Sequence, residues 1–405
     1  MLSRINKTVV ITVVCLVIAY GAYFINDYFA LGIFSSPVSY ERMVLDEKTG
    51  ELGPSFSDEA LPGSTAELLE KVEYKTEIFA EDLVVPWSIV FTSPEKLLVT
   101  ERDGWLRVIQ NGTLSQTPYH TFTEVAAKDE AGLMGSTLDP AYPENGYIYF
   151  CLTYEKSGKT INKIDRYKDT GTGLTEPVTI LDDMPSARYH AGCRIKIGTD
   201  NKLYITTGDA TEKSLAQEAD SLAGKILRVN LDGTVPKDNP FPGSPVYSLG
   251  HRNPQGIDFH PISGLLYATE HGPSIIDGPA GGDEINLIIP GQNYGWPLVS
   301  HENSRPGLTD PLIVYTPAVA PAGATFYSGA VFPQFKNNYF FGLLKGEGII
   351  RMVFSEQDPK QIILTEKLSG IDVGRVRDIT EGPDGYIYVV TDLADGALYR
   401  IEPAN

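Results

Sequence analysis

Beyond about residue 72, apolar positions recur with a period of two far more often than with the three-to-four spacing of a helix, as in Trp105-Leu-Arg-Val-Ile-Gln-Asn-Gly. One theme recurs six times: a Pro, Asp or Gly turn, then an aromatic or aliphatic strand that runs out into Thr, Gly, Asp or Glu. The copies open at Ser93-Pro-Glu-Lys-Leu-Leu-Val-Thr-Glu-Arg, Pro143-Glu-Asn-Gly-Tyr-Ile-Tyr-Phe-Cys, Gly198-Thr-Asp-Asn-Lys-Leu-Tyr-Ile-Thr-Thr-Gly-Asp, His260-Pro-Ile-Ser-Gly-Leu-Leu-Tyr-Ala-Thr-Glu, Pro333-Gln-Phe-Lys-Asn-Asn-Tyr-Phe-Phe-Gly and Pro383-Asp-Gly-Tyr-Ile-Tyr-Val-Val-Thr-Asp. Their spacing of about fifty to seventy residues is at or above the period of a four-stranded propeller blade. The pattern predicts an all-β fold, a six-bladed β-propeller over residues 72–405. Closing the ring requires an early strand, Tyr74 to Ala80, to complete the blade that contains Ala397 to Ile401, which removes two exposed edges.

The first 71 residues read differently. Residues 8–25 carry no charge, follow Arg4 and Lys7, and are long enough to span a bilayer. Residues 1–27 are therefore expected to form an N-terminal transmembrane helix that anchors the propeller on the extracytoplasmic side of the membrane. The competing outcome is a signal segment cleaved near Ala19 and Gly21, which leaves a secreted or periplasmic protein. Residues 28–71 turn to Ser, Pro, Gly, Glu and Asp, with one short helical candidate at Ala66 to Val72, and read as a flexible spacer. A formal charge of −19 excludes nucleic acid and anionic lipid surfaces as general partners. Of three cysteines, Cys15 lies in the anchor and Cys151 and Cys193 are the one pair available to an exported domain. A bridge and two buried thiols are both open to them.

Loops leaving the inner strands of a propeller gather over one mouth of its channel, so polar residues flanking the repeats should converge there. By that rule the candidates are Glu130 ahead of Gly132-Leu-Met-Gly, His190 ahead of the third copy, and Arg252 and Asn253 ahead of the fourth. Gly272 and Pro273 follow the fourth copy, Lys345 follows the fifth, and Arg375 and Arg377 precede the sixth. Arginine forks and a lysine ammonium aimed together seat a planar polycarboxylate, although two arginines alternating on a strand also fit a solvated face. His190 has no Ser or Cys nucleophile signature near it and suits a general base better than a triad member. The turn His271-Gly-Pro can present consecutive backbone carbonyls, hard oxygen ligands suited to calcium. Asp283 and Glu284, with the turn at Asn293-Tyr-Gly-Trp, offer a second oxygen cluster. A plain strand-ending turn and ordinary surface carboxylates account equally for both.

Together, Val85-Pro-Trp, Gly132-Leu-Met-Gly, Gly250-His-Arg-Asn-Pro-Gln-Gly, Glu270-His-Gly-Pro, Gly282-Asp-Glu-Ile-Asn-Leu, Asn293-Tyr-Gly-Trp-Pro and Arg375-Val-Arg-Asp resemble, in order, the quinoprotein family of soluble glucose and aldose sugar dehydrogenases, the glucose/sorbosone dehydrogenases. The resemblance spans roughly residues 80 to 402. It implies pyrroloquinoline quinone (PQQ) lying over the channel with calcium beside it, and oxidation of an aldose at C1 to the lactone. The base falls on His190, the quinone-contacting pair on Arg252 and Asn253, and the carboxylate-binding Lys and two Arg on Lys345, Arg375 and Arg377. The carbonyls of Gly272 and Pro273 match the ligands of the catalytic calcium. Asp283, Glu284 and the Tyr294 carbonyl match an extra calcium site, and Glu130 and Tyr189 the sugar-contacting positions. No Cys-x-x-Cys-His is present, so the resemblance implies an external electron acceptor.

The chain departs from the family pattern at three places. Tyr189 stands where the glucose enzymes place an Asp, Glu130 stands where a Gln is usual, and residues Ser274 to Ala280 look like an insertion. These departures favour the broader aldose branch. Two other functions fit a propeller of this kind: a calcium-dependent lactonase, which needs a metal held by axial carboxylates, and a non-catalytic binding propeller that recognises glycans or a protein.

Overall fold

In the computed structural model, residues 72–404 and two short strands, Met43–Leu45 and Leu52–Pro54, are described. Each of the six repeats forms the second strand of an antiparallel blade: Lys96–Glu101, Tyr147–Lys156, Lys202–Thr207, Leu266–Glu270, Tyr339–Leu343 and Ile387–Thr391. These strands are buried on both faces, because each blade is sandwiched between two others. Their cores therefore read as unbroken apolar runs rather than as strict alternation.

The innermost strands come one step earlier in each blade: Pro86–Ser93, Leu133–Leu138, Ile195–Ile197, Pro254–Phe259, Pro321–Phe326 and Val376–Glu381. They pack on one another around the channel. They are short or mixed in polarity, and the hydrophobic pattern does not mark them. Because each second strand runs antiparallel to its innermost neighbour, the end of one and the start of the other lie at the same mouth. That geometry, rather than loops leaving the inner strands, gathers the residues that flank the repeats.

The expected closure is present. Tyr74–Leu83 pairs antiparallel with Gly396–Pro403, with Ala80 opposite Leu398 and Thr76 opposite Ile401. The sixth blade thus joins the first strand after residue 72 to the last three strands of the chain. Met43–Leu45 and Leu52–Pro54, inside the stretch expected as spacer, pair with each other, and Met43 pairs with Thr365 on the outer strand of the fifth blade. Among the described residues no helix is long and apolar enough to cross a membrane. The apolar stretch 8–25 and the helical candidate beginning at Ala66 lie outside them, Val72 excepted.

Cys151, in the second strand of the second blade, and Cys193, at the entry to the third, form a disulfide. Below the mouth, Arg194 fills the channel. It reaches Asp378 at 2.9 Å and the Gln255 carbonyl at 3.0 Å, and lies 4.1 Å from the Trp87 ring. Burial pulls the arginine down and pushes the aspartate up in pKa, each toward neutrality, so the pair holds only because the partners meet inside the ring.

Candidate active site

His190 sits at the mouth with a left-handed backbone, φ +57°, which a non-glycine residue adopts only when its surroundings enforce it. Gly208 is part of that enforcement, since a Cβ there would fall 1.9 Å from the His190 carbonyl oxygen. Glu130 accepts the His190 backbone N–H at 2.8 Å, and Asp209 meets the ring Nδ1 at 2.7 Å. The second oxygen of Asp209 accepts the indole N–H of Trp296 at 2.8 Å. With Nδ1 donating to this carboxylate, Nε2 is the lone-pair nitrogen, and it has no hydrogen-bond partner among the described residues.

A hydrogen-bonded arc runs from this histidine across four further blades. Glu130 also accepts from Asn253 Nδ2 at 3.2 Å, and the Asn253 side-chain oxygen accepts from Gln255 at 3.0 Å. Gln255 in turn accepts from Arg377 at 3.0 Å. Arg377 and Arg375 share Asp392, at 2.9 and 2.6 Å, and Arg375 also donates to the Leu344 carbonyl, one residue before Lys345. Burial alone would raise the Asp392 carboxyl, but Arg377 and Arg375 outweigh it and hold it well below the usual carboxylate range. On the other side of His190, the Asp209 amide donates to the Arg252 carbonyl at 2.8 Å, and the Arg252 guanidinium lies 5.6 Å from the Trp296 ring centroid. His190, Arg252, Asn253, Arg375, Arg377 and Glu130 are thus brought to one mouth. Lys345 is exposed at its rim, and Tyr189 lies there under the Arg188 guanidinium, 5.1 Å from its ring.

The Gly250-His-Arg-Asn motif owes its shape to Glu270. This buried carboxylate accepts the Arg252 backbone N–H and, at 2.8 Å, the His251 ring, which stacks on Tyr294. His271 comes next. Its Nε2 is buried with no hydrogen-bond partner, and desolvation, with the charges of Arg377 and Arg252 around it, keeps the imidazole neutral.

At the turn that follows, a Cβ on Gly272 would meet the Gly282 and Gly281 carbonyl oxygens at 2.2 and 2.3 Å, so only glycine fits. Asp283 holds the turn by accepting the Gly272 N–H at 2.8 Å, and its other oxygen takes the N–H groups of Val319 and Ala320. The Gly272 carbonyl accepts no hydrogen bond among the described residues, and the Pro273 carbonyl accepts one, from Gly281 at 3.2 Å. Both can face a cation. Asp283 is committed to backbone amides, so of the acidic pair only Glu284 keeps an oxygen open. Desolvation and the nearby Glu270 push the Glu284 carboxyl well above its ordinary range. The Tyr294 side chain is directed into the core, where its hydroxyl donates to the Leu287 carbonyl. Among the described residues no group of three or more His, Cys, Asp or Glu side chains is arranged to hold a metal ion. Any calcium at this mouth would therefore rely on backbone carbonyls and on the ligand it accompanies.

Several residues of the site were not singled out from the sequence. Asp209 and Asp392 end the third and sixth repeats, and Arg102 ends the first, so the rule about repeat ends covers all three once the mouth is known. Arg102 feels Asp392 and Arg377, and burial lowers its pKa. Asp277 lies in the insertion, and Trp296 in the Asn-Tyr-Gly-Trp turn; neither declares its partner from spacing alone.

Comparison with known proteins agrees with this arrangement. A family model described as Glucose / Sorbosone dehydrogenase matches residues 83–400. The aldose sugar dehydrogenase YliI of Escherichia coli K12 is 31% identical over 357 residues, which cover 81% of this chain and 93% of that protein. Quinoprotein glucose dehydrogenase B of Acinetobacter calcoaceticus is 34% identical over 281 residues, 61% of this chain and 57% of that one. The solved PQQ-bound form of the aldose sugar dehydrogenase from Streptomyces coelicolor shares 28% identity with a TM-score of 0.70, covering 82% of this chain and 99% of that structure.

Proposed function

The chain belongs to the glucose/sorbosone dehydrogenase family, whose chemistry is sugar oxidation, and on that premise we propose that it oxidises aldose sugars at C1 to the lactone with PQQ and calcium, passing electrons to an external acceptor. The observation that carries this reading is the unbroken arc from Arg375 to Arg252, which sets an oriented, open His190 Nε2 among cations facing one mouth. That donor set fits a flat polycarboxylate.

Lys345, Arg375 and Arg377 would hold the cofactor's carboxylates, Arg252 and Asn253 its quinone edge, and the Gly272 and Pro273 carbonyls the calcium. When bound, PQQ supplies a two-electron acceptor and calcium a Lewis acid beside it. His190 Nε2 takes the proton of the C1 hydroxyl, and Asp209 fixes the ring's tautomer and stabilises the imidazolium that results. Glu130 holds the backbone of that base, and it and Tyr189 border the space left for the sugar. A second calcium, on Asp283, Glu284 and the Tyr294 carbonyl, is a further element of the proposal. Only Glu284 keeps an oxygen open for it, since both oxygens of Asp283 accept backbone amides of Gly272, Val319 and Ala320. The lactonase reading is disfavoured because the axis holds the Arg194–Asp378 pair instead of a carboxylate cage. We place the propeller on the extracytoplasmic side, tethered by residues 1–27. The Cys151–Cys193 bridge supports this, because disulfides persist in oxidising compartments.

The test is to titrate the full chain, purified without cofactor, with PQQ and calcium, following absorbance and then dye reduction with a panel of aldoses. Quinone uptake and sugar-dependent reduction are expected, and absence of both defeats the reading in favour of a binding propeller. His190→Ala should take up the quinone yet lose about 10²- to 10⁴-fold in turnover. Normal turnover in that variant would remove His190 from the base's role.

A further inference from the structure

The stretch Ser274 to Ala280 forms a turn closed on itself at the mouth. The Asp277 and Gly278 amides donate to the Ser274 carbonyl at 3.0 and 2.9 Å, and Gly281 donates to the Pro273 carbonyl at 3.2 Å. Asp277 stands at its centre with its two oxygens divided. Oδ1 accepts the Ser274 amide at 2.7 Å and the Ser274 hydroxyl at 3.0 Å, which locks the carboxylate to its own turn. Oδ2 accepts Nε of Arg252 at 2.8 Å.

Arg252 is nearly buried, at 6% side-chain exposure, and Asp277 is at 18%, so water screens this pair little. The guanidinium is held on a second edge where NH1 donates to the His271 carbonyl at 3.3 Å, and Trp296 lies against it. The remaining nitrogen, NH2, has no acceptor among the described residues. An arginine fixed on two edges presents its third in one direction. A free arginine loses rotamer freedom when a ligand immobilises it, and one already held loses less.

We propose that Asp277 is a positioning residue: clamped by Ser274, it fixes the Arg252 guanidinium so that its open edge faces the anionic cofactor, and the 274–280 turn thereby pre-organises the cofactor seat. The proposal rests on the reading of the mouth as a PQQ site. It assigns work to a stretch that departs from the family pattern, and to a carboxylate that at first sight opposes anion binding. The carboxylate does remove charge from Arg252, but Arg102, Arg375 and Arg377 remain around Asp392 at the same mouth, and what the site lacks without Asp277 is orientation rather than charge.

The experiment uses the full chain without cofactor, as wild type, Asp277→Ala, Asp277→Asn and Asp277→Glu, with unfolding midpoints as the control for folding. Asp277→Ala and Asp277→Asn should weaken PQQ binding by about ten- to a hundred-fold, the usual cost of removing a partner that orients a ligand-binding group. Asp277→Glu should recover part of that loss, and the KM for sugar should not move. In the cofactor-free protein the Arg252 Nε–H resonance, identified by its loss in Arg252→Lys, should be protected from exchange in wild type and not in Asp277→Ala. Unchanged PQQ affinity overturns the proposal. Tighter binding in Asp277→Ala also overturns it, because the carboxylate would then be a competing anion. If wild type binds no PQQ, the functional reading fails separately, and the Nε–H resonance still decides whether Asp277 orients Arg252: protection that persists in Asp277→Ala rejects it.

Discussion

Asp392 joins two arginines at the mouth that would otherwise repel each other. Its folded-state pKa lies below the ordinary value of 3.8, so below about pH 4 the folded chain binds fewer protons there than the unfolded chain does. The stabilisation is present above about pH 4 and is lost as pH falls further. Asp392→Asn should therefore cost about 3 kcal/mol at pH 7, the scale for breaking a buried pair, and its unfolding midpoint should converge on that of wild type as the pH is taken toward 2. A constant gap between the two proteins from pH 7 to pH 2 would show that the carboxylate's charge is not what matters. Asp392 and Asp209 both stand in the repeats as written in the sequence, each closing a strand. What the sequence withholds is that these strand ends share a mouth with the starts of the innermost strands of their own and other blades, so their arginine and histidine partners could not be named. Arg252, Arg375 and Arg377 were legible because their motifs are unusual, and His190 because it stands ahead of the third repeat; their counter-charges sit in ordinary strand ends.

At the scale of elements, the second strand of each blade announces itself because neighbouring blades bury both its faces, whereas the innermost strands are too short and too polar to stand out. Ile195–Ile197 has only three residues, yet His190 and the disulfide both enter the structure just before it. That bridge joins the second blade to the third across 42 residues. Spacing in the sequence left its existence open, since nothing local brings the two cysteines together; the contact between neighbouring blades does. Closing a loop of that length removes about 4 kcal/mol of unfolded-state entropy in the chain-entropy account. The double variant Cys151→Ala, Cys193→Ala should lower the guanidinium midpoint correspondingly, while the oxidised wild type and the variant keep the same far-ultraviolet circular dichroism. Equal midpoints would mean that the packing of Met134, Ile164 and Ile195 around the two positions already supplies the constraint.

At the scale of the whole molecule, the site belongs to no single blade. Glu130 enters from the second, His190 from the third, Asn253 and Gln255 from the fourth, and Arg377 from the sixth, so the arc exists only while the ring is closed. In a chain with nineteen surplus negative charges, the cations at this mouth are drawn from distant parts of the sequence, Arg252 from the fourth blade and Arg375 and Arg377 from the sixth. Closure depends on Tyr74–Leu83, whose Ala80 and Leu83 pack with Ile89, Val99, Val390 and Leu398 between the sixth blade and the first. A chain beginning at residue 72 keeps this strand, gives up among the described residues the strands Met43–Leu45 and Leu52–Pro54, and should unfold in one transition and still bind PQQ. A chain beginning at residue 84 leaves the edge of Gly396–Pro403 unpaired in the very blade that carries Arg375, Arg377 and Asp392. It should lose quinone binding and self-associate, read by absorbance titration and light scattering, even if the disulfide-linked second and third blades retain structure. If that shorter chain stayed monomeric and bound the cofactor, the mouth would be assembled by local loops, and the ring would be a scaffold rather than the condition for the site.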